Sequence, residues 1–272
     1  MKIAIFDSGI GGLCLLSELR RRLPNAEFIY YADSDHAPYG EREVADVLSL
    51  TEEAVERMLG IGADAILLAC NTATAVAAKH LRARYPQIPI FGMEPAVNQA
   101  ARETPRGLIL AVATPVTLRG EKFHSLLRRA DIEDRVVSLP LPRLVRYAEG
   151  ELFAKGLESC PEAAEYIENE IKTACPHVES LSAAVLGCTH FIYFKNEFSR
   201  ILPDLPIYDG VCGTANHLIR TLGLSESADG GGAECLAPCS PASAPPVEFL
   251  ISGRRVTESE RSRFENCLRL LG

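Results

Sequence analysis

The chain has 272 residues, close to two domains at about 150 residues each and long enough to bury a core. Its 47% hydrophobic and 24% charged residues, with a mean hydropathy of +0.05, exclude disordered and collagenous chains and disulfide-knotted miniproteins. Twenty-eight basic against 36 acidic residues give a net charge of −8 and a pI near 5.4, which disfavours nucleic acid or an anionic membrane as the main partner but allows a small local anion site.

Asp7 cuts the N-terminal apolar run too short for a signal-peptide core, and no run approaches the roughly 20 apolar residues of a bilayer crossing. The expected location is the cytoplasm. In that reducing compartment the nine cysteines are expected as free thiols rather than as a disulfide scaffold.

Short aliphatic runs alternate with helical patterns, the signature of βαβ units. Lys2–Phe6 reads as a strand, Asp7-Ser8-Gly9-Ile10-Gly11-Gly12 as a tight turn, and Leu13, Leu16, Leu19 and Leu23 as the inner face of a helix stopped by Pro24. A strand at Phe28–Tyr31 and a helix at Glu43–Leu59 follow. The apolar run Asp64–Ala69 reads as a strand buried on both faces, with a helix from Thr72 to Arg84. A second half repeats the grammar: strand Gly107–Ala113, turn Thr114–Thr117, a helix through Phe123, Leu126 and Leu127, helix Ala163–Ala174 and strand Ala183–Gly187. Residues 223–246, rich in Gly, Ser, Ala and Pro, read as a mobile loop before strand Val247–Ser252 and helix Glu258–Leu271. The expected fold is α/β: two similar domains, residues 1–97 with 208–272 and residues 98–207, each a mainly parallel sheet flanked by helices, with the active site in the cleft between them.

Cys70 and Cys188 both fall just past a buried strand, in Ala69-Cys70-Asn71-Thr72 and Gly187-Cys188-Thr189-His190. Ligands of open α/β sheets bind outside the carboxyl ends of the strands, so both thiols are placed to line one crevice. Cys14, Cys160, Cys175, Cys212 and Cys267 lack that context and are assigned to packing. Cys235 and Cys239 fall in the loop and receive no catalytic role. A thiol with an ordinary pKa near 8.5 is only slightly ionised at neutral pH, so a catalytic cysteine needs a helper. His190 and Asp7, the latter ending a strand expected beside the Cys70 strand, are of the right kind. The glycine-rich turn suits a small anion; it lacks the dinucleotide-binding spacing and a P-loop lysine. Asn71, Thr72, Thr114, Thr117 and Thr189 are short polar side chains able to hold carboxylates and an ammonium without a metal. Cys188-x-His190 and Cys235-x₃-Cys239 do not make the paired clusters of structural zinc, so no metal is expected.

Together Phe6-Asp-Ser-Gly-Ile-Gly-Gly-Leu13, Ala37-Pro-Tyr-Gly40, Ala69-Cys-Asn-Thr-Ala73, Gly92-Met-Glu-Pro-Ala-Val97 and Gly187-Cys-Thr-His190 resemble the aspartate/glutamate racemase family, and within it the cofactor-independent glutamate racemases of bacterial wall synthesis. The resemblance spans residues 1 to about 220 in the family's order. It implies that Cys70 and Cys188 are the paired acid and base, that Asp7 and His190 assist them, and that Glu149 is a further acidic residue of the site. Substrate contacts implied are Asp7, Ser8, Tyr39, Gly40, Asn71, Thr72, Thr114, Thr117, Thr189 and His190, in a homodimer acting on glutamate. After His190 the family usually continues with an aromatic residue and Pro-Leu-Leu, whereas here Phe191 is followed by Ile192-Tyr193-Phe194.

Inverting an α-carbon requires a proton to leave one face and another to arrive on the other, hence one thiolate and one thiol held apart. With each sulfur about 3–3.5 Å from the α-carbon, the sulfurs are expected roughly 7 Å apart around bound substrate, without a disulfide. Three other readings stand beside this one: an aspartate or hydantoin racemase, a two-lobed carboxylate-binding protein without chemistry, and a cysteine hydrolase, which leaves the second cysteine idle.

Overall fold

The computed structural model of the chain describes residues 1–226 and 245–271. In chain order the first half holds β1 (Lys2–Asp7), α1 (Leu13–Arg22), β2 (Glu27–Ala32), α2 (Val44–Gly60), β3 (Ala65–Leu68), α3 (Asn71–Arg84) and β4 (Ile90–Gly92). The second half holds α4 (Val97–Glu103), β5 (Leu108–Ala113), α5 (Pro115–Arg119), α6 (Glu121–Ala130), β6 (Val136–Pro140), α7 (Pro142–Tyr147), α8 (Pro161–Ala174), β7 (Leu181–Leu186), α9 (Lys195–Ile201) and β8 (Ile207–Asp209). The chain then returns through α10 (Val211–Leu222), β9 (Val247–Ile251), β10 (Arg254–Arg255) and α11 (Glu258–Leu270).

Two sheets result, one of six strands in the order β10-β9-β2-β1-β3-β4 and one of four in the order β6-β5-β7-β8. Every pairing is parallel except β10 with β9. Side chains alternate across a strand, and the cores follow that period. Ala4 and Phe6 pack under α2 and α3, whereas Ile3 and Ile5 face a large cluster that reaches Leu110 and Val112 of the second sheet. On the far side of β5, Ile109, Ala111 and Ala113 pack with Phe123, Leu126 and Leu127 of α6. The middle cluster lies between the sheets, so the two halves share one core. The two central strand pairs, β1 with β3 and β5 with β7, therefore run nearly continuously apolar, as burial on both faces demands.

The elements differ from the sequence expectation at the sheet edges, in several short helices and at two joints. Strands β4, β6, β8 and β10 and helices α4, α7, α9 and α10 are absent from that expectation. Thr114–Thr117 is not a simple turn, because Thr114 precedes α5 and Thr117 lies within it. Tyr208 and Asp209 pair with Val185 and Leu186 of β7, so the chain leaves the second sheet after Asp209, two residues beyond the expected boundary. Of the stretch 223–246, residues 227–244, with Cys235 and Cys239, lie outside the described residues. Gly223 ends α10 in the left-handed conformation at φ +62°. Among the cysteines assigned to packing, Cys14, Cys160, Cys175 and Cys267 are free and buried, whereas Cys212 is disulfide-bonded, which corrects the expectation of free thiols throughout. Among the described residues no helix is long and apolar enough to cross a membrane.

Candidate active site

The carboxyl ends of the four central strands converge. Asp7 ends β1, Cys70 lies two residues past β3, Thr114 follows β5, and Cys188 lies two residues past β7. Asp7 neighbours the Cys70 strand, since β1 pairs with β3 through Phe6 and Leu68. Both cysteines are free and buried, 5% and 6% exposed, so neither is tied up in a disulfide. Cys70 stands at the start of α3, and Cys188 at the start of a 3-10 turn over Thr189–Phe194.

The partners of the two thiols differ. Cys70 Sγ donates to Ser8 Oγ at 3.7 Å. Burial pushes its pKa up to about 12, with Asp7 and Cys188 adding to the rise and the Ala73 amide and Ser8 opposing it. Cys70 therefore rests as the thiol. Cys188 Sγ lies 4.0 Å from His190 Nδ1. The other ring nitrogen of His190 meets Glu149 Oε1 at 2.6 Å, in an ion pair whose histidine side chain is 2% exposed. Burial alone would lower the His190 pKa, but Cys188, Glu149 and Asp7 together hold it well above the ordinary 6.5. A buried charge has to be paired, and the Glu149 carboxylate pairs this one.

Asp7 joins the two sides. Its Oδ1 accepts from the Gly9 N–H at 3.0 Å and its Oδ2 accepts from Thr189 Oγ1 at 3.1 Å, on the Cys188 side. Burial raises its pKa from the usual 3.8 to about 6, with His190 restraining the rise. The folded protein holds this proton more tightly than the unfolded chain, so the associated stability is present below pH 3.8 and is lost as pH rises through about 6. Asp7→Asn should therefore gain stability relative to the unsubstituted protein between about pH 4 and 7, by up to about 3 kcal/mol. Urea unfolding at matched pH values checks this; a pH-independent difference between the two proteins would contradict it.

The short polar residues gather as a second group. Thr72 Oγ1 lies 3.0 Å from Thr114 Oγ1 and 3.3 Å from Thr117 Oγ1, and Thr114 and Thr117 are 3.0 Å apart. All three are buried, and they bring the start of α3 against the start of α5. Asn71 donates from Nδ2 to the Met93 carbonyl at 3.3 Å, while its buried Oδ1 has no partner among the described residues. Tyr39 and Gly40 share a short 3-10 turn; Tyr39 donates to Asp33 Oδ2 at 2.5 Å and Gly40 lies against Thr114. Among the described residues no group of three or more His, Cys, Asp or Glu is arranged to hold a metal.

Two residues missed by sequence reasoning shape the glycine-rich turn. Tyr30 donates to the Gly9 carbonyl at 2.7 Å and Tyr193 to the Ile10 carbonyl at 3.1 Å. A signal existed for Tyr30: the period of two puts it on the buried face with Phe28, and a buried phenol needs a partner. Asp33, which anchors Tyr39, carries no comparable signal.

A sequence profile of the Asp/Glu/hydantoin racemases matches residues 14–218. A glutamate racemase of Campylobacter curvus is 45% identical over 239 residues, covering 85% of this chain and 87% of its own. The chain belongs to this racemase family. Another relative of the racemase, the glutamate racemase of Halothermothrix orenii, is 42% identical over 236 residues, or 85% of this chain and 90% of its own. Among solved structures, glutamate racemase from Thermus thermophilus in complex with beta-chloro-D-alanine superposes with a TM-score of 0.73 at 28% identity, covering 97% and 92% of the two chains. Glutamate racemase from Escherichia coli, in complex with L-glutamate and the activator UDP-MurNAc-ala, gives 0.76 at 25% identity over 94% and 99%. The racemase is accordingly an isomerase acting on an amino acid.

Proposed function

We propose that this racemase interconverts L- and D-glutamate by two-base proton transfer, with Cys70 and Cys188 as the paired acid and base. The observation that carries the reading is the pair of buried free thiols at the ends of the central strands of two different sheets, each with its own polar partners. Cys188 as thiolate takes the α-proton of L-glutamate while the Cys70 thiol delivers its proton to the opposite face, leaving thiol and thiolate exchanged. The D isomer runs the same step in reverse, with Cys70 as base. His190, held protonated by Glu149, stabilises the Cys188 thiolate, and Ser8 and Asp7 serve the Cys70 side. Charge that develops on the α-carboxylate in the transition state is met by preorganised amides of the glycine-rich turn and of α3. The Thr72, Thr114 and Thr117 hydroxyls suit a carboxylate, and Asn71 Oδ1, an acceptor with no donor among the described residues, suits the ammonium. The relatives' substrate supports glutamate, and D-glutamate from a cytoplasmic homodimer would feed bacterial wall peptidoglycan.

The test is incubation with L-glutamate in deuterium oxide without pyridoxal phosphate. Circular dichroism should decay to zero as deuterium enters the α-position, with aspartate and hydantoins at least about 100-fold slower. Faster turnover of either, or no inversion at all, overturns the assignment.

A further inference from the structure

Tyr193 occupies the same 3-10 turn as Thr189 and His190. Its hydroxyl donates to the Ile10 carbonyl at 3.1 Å, and the Ile10 N–H donates to Glu149 Oε1 at 2.7 Å. That same carboxylate oxygen meets His190 Nε2 at 2.6 Å. The contacts close a ring that leaves the His190 turn at Tyr193, crosses the glycine-rich turn of the first half, and returns to His190 through Glu149.

From this ring we infer that Tyr193 is a positioning residue for the reaction: by pinning the Ile10 carbonyl it fixes the residue whose N–H holds Glu149 on His190, and through it the imidazole that stands beside Cys188. The inference rests on the acid–base roles given to His190 and Cys188 above. The Ile10 N–H lies in the Gly9–Ile10 peptide plane, whose carbonyl Tyr30 holds at 2.7 Å, and the Ile10 carbonyl lies in the next plane; with both planes pinned on either side of one Cα, the residue cannot turn its N–H away from Glu149. The Ile10 carbonyl accepts from Leu13 N at 3.1 Å as well as from Tyr193, so both its lone pairs are engaged. Ile10 is fully buried, and no bulk water replaces a lost donor there. Glu149 sits in a π-helical turn, Ala148–Ala154, and its Oε1 is held from outside that turn by the Ile10 N–H and His190. With the hydroxyl removed, the plane after Ile10 is freed, the Ile10 Cα can shift and carry its N–H off Oε1, and the short bond to His190 loosens. Charge-assisted bonds of this length lose strength steeply with misalignment.

Tyr193→Phe keeps the ring and removes one oxygen, and it is compared with the unsubstituted protein both alone and on a Glu149→Gln background. Alone it should lower kcat about tenfold with KM within about twofold, and it should move the His190 ring N–H proton resonance upfield. On the Glu149→Gln background the same substitution should change kcat less than about twofold, since its effect runs through that carboxylate. An equal loss in both backgrounds, or an unmoved His190 resonance, overturns the proposal. The resonance is read without substrate, so it judges Tyr193 even if glutamate racemisation itself is not found.

Discussion

Serine in place of either Cys70 or Cys188 should lower kcat/KM by at least about 1,000-fold, within the range spanned by a positioned acid or base. Serine keeps the volume of the side chain but holds its proton too tightly to act as the base. Enantiomers have equal free energies, so the equilibrium constant is 1 and any variant must lose kcat/KM equally in the two directions. Direction shows up instead in exchange. With Cys70 serving the face of the D isomer, Cys188→Ser should exchange the α-proton of D-glutamate with deuterium oxide without inverting it, and should leave L-glutamate nearly untouched. Cys70→Ser should do the opposite. Proton NMR at the α-position reads both outcomes. Full two-way turnover by either variant would end the two-thiol assignment, and a lost activity with inverted exchange preference would reverse the two roles.

The second large effect belongs to Gly11. A Cβ there would lie 2.2 Å from Thr189 Oγ1 and 2.7 Å from His190 Nδ1, both of which also hold places in the hydrogen-bonded site. Neither is the free end of a flexible chain, so Gly11→Ala must displace the turn that carries Cys188. Misplacement of a reacting group by about 1 Å costs about 100-fold in rate, and the overpacked contact should cost about 1–3 kcal/mol of stability. Gly9→Ala meets the Glu149 carboxylate instead, the far end of a flexible side chain, which can swing away at the expense of its bonds to Ile10 and His190, so its stability cost should be smaller than that of Gly11→Ala. The control is Gly213→Ala: in α10, with nothing among the described residues within 4 Å of the added carbon, it should raise stability by about 0.5–1 kcal/mol and leave the rate alone. Steady-state kinetics and urea unfolding of the three variants separate these outcomes. A Gly11→Ala enzyme with unchanged kcat/KM would show that the glycine is not where the halves must meet closely.

The central strands were legible because burial on both faces writes an uninterrupted apolar run, as in Ala65-Ile-Leu-Leu68 and Leu108-Ile-Leu-Ala-Val-Ala113. The strands that escaped notice, β4, β6, β8 and β10, are the four sheet edges. An edge strand is short, half-exposed and tolerant of proline, so it leaves little hydrophobic pattern; β4 and β8 have three residues each and β6 ends in Pro140. Among site residues, Cys70 and Cys188 announced themselves by following buried strands. Glu149 did not, because its short π-helical turn leaves neither a strand-end nor a regular helical-face pattern in the sequence; only the resemblance to the family supplied it.

What local pattern determines here is order: which strand precedes which helix, and therefore that two cysteines, an aspartate and several hydroxyls all fall at carboxyl ends of parallel strands. Register along the chain is enough for that, since a strand's end is set by where its own apolar run stops. Whether those ends point at one another was decided by packing between the sheets, through the shared middle core that joins Ile3 and Ile5 to Leu110 and Val112. The same packing chose the partners across the halves, giving Thr189 to Asp7 and Glu149 to the Ile10 N–H across gaps of 182 and 139 residues. Contacts between residues so far apart arise from three-dimensional closure, which no periodicity in the chain encodes.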